Sequence, residues 1–207
     1  MVVNYPNGKQ YAKPETKPTP RKKKNKLTTF SNRGMSLEDD INDSNISYLR
    51  QERAVIHKKP TPIQIVNVDY PKRSAAVIKE AYFRQASTTD YNGVYRGFYL
   101  DFEAKETKNK LSFPLKNFHQ HQITHMHQCL KQKGICFVIL RFSSINRLFL
   151  LEAKLLLTYW DDQKDGRKSI PISELEKNGY EMYYGFSPRI PYLDVVDQLI
   201  DYSLSNI

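Results

Sequence analysis

The chain has 207 residues, 40% hydrophobic and 12% aromatic, enough for one ordinary core with little room for a second full domain. Its 32 Lys and Arg against 22 Asp and Glu leave a net charge of +10, which points to a polyanionic partner, nucleic acid or an anionic membrane surface. It holds no run of about 18 apolar residues and no apolar leader, which excludes a spanning helix and a secretion signal and predicts a soluble, intracellular protein.

The charge is concentrated at the start. Residues 1–33 hold nine Lys and Arg against Glu15 alone, so they supply +8 of the +10. With four prolines in this segment and almost no apolar periodicity, "YAKPETKPTPRKKKNK" cannot bury enough surface to order itself, and it is expected to be a disordered basic arm. Such an arm is either merely solvated or, as we favour, tracks phosphates.

"SNRGMSLEDDINDSNISYLRQE" predicts a helix entered at Ser36, with Leu37, Ile41 and Tyr48 as its apolar positions and Asp43 to Asn45 as the place where it would break. "AVIHK" reads as a short strand. In "KPTPIQIVNVDYPKRS" a β-branched run, Ile63 to Val68, stands between Pro60 and Pro62 on one side and Pro71 on the other, with Lys58, Lys59, Lys72 and Arg73 at its ends. It reads as a projecting arm with basic ends or as an edge strand guarded by proline and lysine. "AAVIKEAYFRQ" fits strand or helix equally. "FHQHQITHMHQCLKQKG" predicts a helix with Ile123, Met126 and Leu130 on its core side and Gly134 as its stop. "ICFVILRF" is apolar throughout, as a strand covered on both faces requires, and "RLFLLEA" follows after a turn at Ser143 to Asn146. Helices are expected at "KLLLTYW", at "ISELEKN" and from Tyr192 to about Leu204. The order predicts an α/β fold with a mixed central sheet.

The chemistry concentrates in "DYNGVYRGFYLDFEAKETKNK". Strand residues two apart share a face, so Phe98, Leu100, Phe102 and Ala104 should enter a core while Tyr99, Asp101, Glu103 and Lys105 lie together on the other side. A hairpin turn at Asn92-Gly93 would bring Asp90 back beside Glu103. Two carboxylates with a lysine beside them suit phosphodiester hydrolysis. Hard oxygen ligands hold Mg²⁺ with part of its water, and a compact ammonium stabilises charge on phosphoryl oxygens. Asp101 competes as a ligand on spacing alone. Solvated strand faces often alternate charge in this way, so the pattern gains force only with the basic "KETKNK" that follows and the overall positive charge.

"SNRGMSLEDDIN", "AVIHKKPTPIQIVNVDYPKRSAAVIKEAYFRQASTTDYNG", "DFEAKETKNKLSFPLKNFHQHQITHM" and "NGYEMYYGFSPRIPYLDVVDQL" resemble the RecU Holliday-junction resolvases of low-GC Gram-positive bacteria, from the opening "YPNGK" to near residue 200. The resemblance implies a PD-(D/E)XK, restriction-endonuclease-like core carrying a projecting basic β arm, the stalk. It implies a homodimer that makes paired symmetric nicks in four-way DNA junctions during recombination and repair, located in the cytoplasm on the nucleoid, with RecA as a partner. It places metal-binding residues at Thr88, Asp90, Glu103 and Gln122, for Mg²⁺ with Mn²⁺ as a substitute, and a transition-state lysine at Lys105. Thr89 stands where the superfamily has proline, a residue that binds nothing. Lys58 and Arg73 match basic stalk residues, and Lys59 and Lys72 beside them are expected to meet DNA as well. The division implied is a basic arm at 1–33 and a nuclease domain at 34–207 with the stalk inserted at about 58–80.

Other features carry less. His119, His121, His125 and His127 suggest zinc, but no cysteine or carboxylate in suitable register completes a set, and a helix lining a DNA groove is preferred. Cys129 and Cys136 fit neither a zinc nor a disulfide spacing and are expected as buried small hydrophobes. "DGRKS" lacks the glycine and strand of a phosphate-binding loop. Glu38 resembles the first-helix acid of the superfamily that can lie near the metal. Two other functions share parts of the pattern: a non-catalytic DNA-binding or strand-annealing factor that modulates RecA, and a nuclease acting on linear duplex.

Overall fold

The computed structural model describes residues 36–70, 76–84 and 86–205. The expected basic arm at 1–33, together with Lys72 and Arg73, lies outside the described residues. The elements are α1 (Leu37–Arg50), β1 (Ala54–Lys58), β2 (Ile63–Asp69), β3 (Val77–Phe83), β4 (Tyr91–Tyr95), β5 (Phe98–Thr107), β6 (Ser112–Pro114), α2 (Gln120–Lys131), β7 (Ile135–Phe142), β8 (Arg147–Glu152), α3 (Ala153–Asp162), β9 (Ser169–Pro171), α4 (Ile172–Asn178), β10 (Tyr180–Met182) and α5 (Tyr192–Ser205).

Six strands form the central sheet in the order β1-β4-β5-β7-β8-β10. Only β5 and β7 run parallel, and α2 lies in the crossover between them; every other pair is antiparallel. On one face Leu100, Phe102, Phe137 and Ile139 pack with Ile41 and Tyr48 of α1 and with Tyr192, Val196 and Ile200 of α5. On the other, Val138, Leu140, Phe149 and Leu151 meet Ile123 and Met126 of α2 and Leu156 of α3. Strand β7 is therefore covered on both sides, as its unbroken apolar run required. The α/β class and the mixed sheet flanked by helices are as expected.

Helix α1 starts where the sequence indicated. Ser36 Oγ accepts the Asp39 N–H at 3.2 Å and an Asp39 oxygen accepts the Ser36 N–H at 3.1 Å, a reciprocal cap. The break expected at Asp43 to Asn45 does not occur. Ser44 and Asn45 are buried there, and their polar atoms serve tertiary bonds: Ser44 Oγ donates to the Asp40 carbonyl at 2.7 Å and accepts the Ile190 N–H at 2.7 Å, while Asn45 accepts from the Tyr192 hydroxyl.

"AAVIKEAYFRQ" is a strand. As β3 it pairs antiparallel with β2 in a separate two-stranded ribbon whose residues are exposed apart from the half-buried Val68, which supports the projecting arm over the edge strand of the main sheet. The ladder skips Val66 on β2 and Lys79 on β3, two opposed bulges. The short β6–β9 pair and β10 were not anticipated, because three-residue strands carry no readable period.

The hairpin expected at Asn92-Gly93 sits elsewhere. Tyr95 pairs with Phe98, so the two-residue loop is Arg96-Gly97, with φ of 51° and 82°, the doubly positive pattern of tight hairpin turns. Gly93 lies inside β4, opposite Ile56, where a Cβ would come within 2.2 Å of the Val55 carbonyl oxygen and 2.6 Å of the Ile56 Cα. Its role is close approach of two backbones. Gly93→Ala should lower stability by roughly 2–4 kcal/mol, since backbone must shift. Gly97→Ala, with open space around it, should cost only about 1 kcal/mol for the left-handed conformation. Urea midpoints of the two variants would reverse in order if the turn were at Asn92-Gly93.

Candidate active site

Alternation along β5 sorts its side chains as the sequence suggested. Leu100, Phe102 and Ala104 join the core beneath α1 and α5, while Asp101 and Glu103, both fully buried, point to the side covered by α2. Asp90 precedes β4, whose Tyr91 pairs with Phe102, so antiparallel pairing returns it beside Glu103 despite the relocated turn. The Asp90 N–H donates to Glu103 Oε2 at 3.1 Å. Lys105 Nζ stands 2.6 Å from Glu103 Oε1 and forms an ion pair with it. Burial pushes the Glu103 carboxyl from 4.5 up to about 8; a bond to the Asp90 side chain adds to the rise and the Lys105 charge opposes it.

The remaining expected residues stand around this pair. Half-buried Thr88 donates to the Thr89 carbonyl at 3.2 Å and lines, with Asp90, Glu38, Lys58 and Arg84, a cleft at the root of the ribbon. Gln122 is buried on α2, and its Oε1 accepts the His119 N–H at 3.0 Å, so its amide oxygen also caps the helix. Glu38 reaches the cleft but is bound to Lys58. His121 lies close enough to Lys105 and Asp90 to feel both charges, and burial lowers its pKa. Sequence reasoning gave it no individual part; its place one residue before Gln122 was the available signal.

Asp101, a rival ligand on spacing, is already fully engaged. Its Oδ2 takes Lys59 Nζ at 2.8 Å, the Tyr99 hydroxyl at 3.0 Å and His125 Nε2 at 3.0 Å, and its Oδ1 takes the Thr89 hydroxyl. The expectation that no carboxylate or cysteine completes a histidine set is corrected here. Asp101, His125 and Cys129 bring ligand atoms within 4.8 Å of one another, because β5 and α2 pack face to face. The Lys59 ammonium on Asp101 Oδ2 nevertheless occupies the position a cation would need. Cys136 is buried as expected, whereas Cys129 is half-buried.

With this geometry established, comparison with known proteins is decisive. Residues 32–198 match the RecU family, described as Recombination protein U. The chain belongs to the RecU family. It is 66% identical over 204 residues to the Holliday junction resolvase RecU of Lactiplantibacillus plantarum, covering 97% of both chains. It is 59% identical to the protein of that name from Latilactobacillus sakei, again over 97% of each, and 59% identical to that of a Geobacillus species, over 96% of this chain and 98% of the relative. The mixed sheet between helical layers is consistent with the restriction-endonuclease-like fold of RecU. No helix among the described residues is long and apolar enough to cross a membrane.

A buried acid whose folded-state pKa lies above its unfolded value binds extra protons in the native state, so the stability it contributes is lost as pH rises from about 4.5 to about 8. In metal-free buffer, Glu103→Gln should therefore match wild type near pH 5 and exceed it by roughly 1–3 kcal/mol at pH 8, read from urea denaturation. Equal stability of the two proteins at pH 8 would contradict the burial argument.

Proposed function

We propose that the protein is a divalent-metal-dependent endonuclease that resolves four-way DNA junctions, with Asp90 and Glu103 as the metal-binding carboxylates. The observation that carries this is a fully buried Glu103 held beside Asp90 and ion-paired to Lys105, in a chain two-thirds identical to a named resolvase. A protein that only bound DNA would have no use for Asp90 and Glu103 set together beside Lys105.

The residues fit a hard cation. Asp90 and Glu103 offer carboxylate oxygens, and Thr88 and Gln122 offer a hydroxyl and an amide oxygen from the two flanking segments. Mg²⁺ held there supplies a water of lowered pKa and charge to neutralise the phosphoryl oxygens. Glu103 Oε2 is fixed by the Asp90 N–H, and Oε1 would face the ion once the partly exposed Lys105 ammonium, 2.6 Å from it, turns toward the substrate. Lys105, one-fifth exposed at the edge of the site, presents a compact positive charge to a phosphoryl oxygen or orients the attacking water. Lys58 and Arg84 line the cleft that leads to Asp90 and would hold the approaching strand.

In this reading the nuclease domain covers 34–207, residues 1–33 form a basic arm that follows phosphates, and the β2–β3 ribbon is the stalk that enters the junction, with Lys58, Lys72 and Arg73 as its basic contacts. Two copies act as a homodimer on the two strands of the junction, in the cytoplasm on the nucleoid, with RecA as partner. These assignments rest on family membership and on the exposed, projecting ribbon.

Nicking of a labelled mobile four-way junction and of an equally long linear duplex, each in Mg²⁺ and in EDTA, tests the proposal. Paired cuts in the junction alone are expected, only with Mg²⁺. Glu103→Gln should abolish cutting with junction binding retained, and Lys105→Ala should slow it by about 10²–10³-fold. Tight binding without cutting would reduce the protein to a binding factor, and cutting of linear duplex would make it a nuclease of another specificity.

A further inference from the structure

The fully buried Asp101 is not explained by the chemistry of Asp90 and Glu103. It accepts from four donors: the Thr89 hydroxyl, Lys59 Nζ at 2.8 Å, the Tyr99 hydroxyl at 3.0 Å and His125 Nε2 at 3.0 Å. Three of the donors lie on segments that would otherwise be independent. Thr89 is on the loop that carries Asp90, Lys59 is at the root of the ribbon just past β1, and His125 is on α2, the helix that carries Gln122. Lys59 Nζ also bonds Thr89 Oγ1 at 3.0 Å, and the Lys59 N–H donates to the Asp90 carbonyl at 2.7 Å.

We propose that Asp101 and Lys59 are positioning residues: together with the Thr89 hydroxyl they lock the Asp90 loop and the root of the ribbon to β5, and thereby hold Asp90 beside Glu103. The proposal rests on the reading of Asp90 and Glu103 as metal-binding carboxylates and assigns the preceding residue a task. Thr89 is almost completely buried, and its side chain reaches the one carboxylate next to Glu103 on the same face. Lys59, expected from the sequence to touch DNA, has its side chain four-fifths buried with the ammonium between Asp101 and Thr89, so it acts on the loop and not on a phosphate. Lys58, next to it, is more exposed and pairs with Glu38 at the cleft. Asp101 therefore adds a buried anchor on β5 to the direct bonds that Lys59 makes to Thr89 and to the Asp90 carbonyl, so that the base of the ribbon, the Asp90 loop and β5 are held as one unit.

Three variants of the full-length protein test this: Thr89→Val, which removes only the hydroxyl, Lys59→Gln at the edge of the network, and Thr89→Ser, which keeps the hydroxyl. Thr89→Val and Lys59→Gln should each raise the Mg²⁺ concentration for half-maximal junction nicking about tenfold, the usual scale for groups that orient ligands, while Thr89→Ser restores the wild-type value. Junction binding in EDTA should keep its affinity, and the slope of log affinity against log salt should not change in Lys59→Gln. Amide exchange of Lys59 and Asp90 in metal-free protein should be about tenfold faster in Thr89→Val. An unchanged Mg²⁺ requirement and unchanged exchange in both variants would overturn the proposal. So would a Lys59→Gln protein whose salt slope falls by about 1 at normal Mg²⁺ requirement, which is the signature of a lost phosphate contact. If wild type does not cut in Mg²⁺ at all, the nuclease reading fails, and the exchange measurement alone decides whether Asp101 holds the loop.

Discussion

Two carboxylates on one face of β5, Asp101 and Glu103, are completely removed from water, and the rest of the structure is arranged around that constraint. A carboxylate in a dry interior must be met by donors or by opposite charge. Asp101 is satisfied by four groups drawn from four segments. Glu103 is met by fewer groups, one backbone N–H on Oε2 and the Lys105 ammonium on Oε1. The same strand thus carries an acid met by four groups and, two residues on, a second buried acid met by two, whose burial raises its pKa.

The framework around these groups is stiff for reasons that are local and visible. Tyr91, Phe102 and Phe137 stack across β4, β5 and β7 with centroid separations of 4.9 and 4.7 Å, fixing the three strands face to face beneath α1 and α5. Parallel pairing of β5 with β7 sets Glu103 opposite Val138 and Lys105 opposite Leu140, so the strand that carries the buried acids lies against the thoroughly buried β7.

Much of this was legible in the sequence, and the exceptions have physical causes. The period of two along Phe98 to Lys105 placed the core face and the polar face correctly, since alternation needs no tertiary information. Proximity of Asp90 to Glu103 was also foreseen, though through a turn at the wrong pair of residues. Asn-Gly is a strong local signal, but Gly93 is demanded by the approach of β1, and Arg96-Gly97 can adopt the same backbone conformation. Ser44 and Asn45 looked like helix breakers because their partners, Ile190 and Tyr192, are nearly 150 residues away. For the same reason Asp101 could not be told from a ligand: its donors come from Lys59, Thr89 and His125, which no spacing rule connects. Gln122 and Thr88 had no signal of their own and depended on resemblance.

The opposed bulges at Val66 and Lys79 have a consequence for how the ribbon can vary in length. Successive pairs in a ladder alternate between faces, and each bulge lets two neighbours on one strand share a face. Counting pairs along β2 and β3, Ile63, Ile65 and Val68 fall on the same side as Phe83, Ala81 and Ile78, while Gln64, Asn67 and Asp69 fall opposite with Tyr82, Glu80 and Val77. Regular strands would have put Asn67 and Asp69 among the isoleucines. Removing one extra residue without the other would turn the outer part of a single strand over and mix the two sides. Insertions and deletions in this ribbon must therefore come in matched pairs, one on each strand, if its two-sided character is to survive.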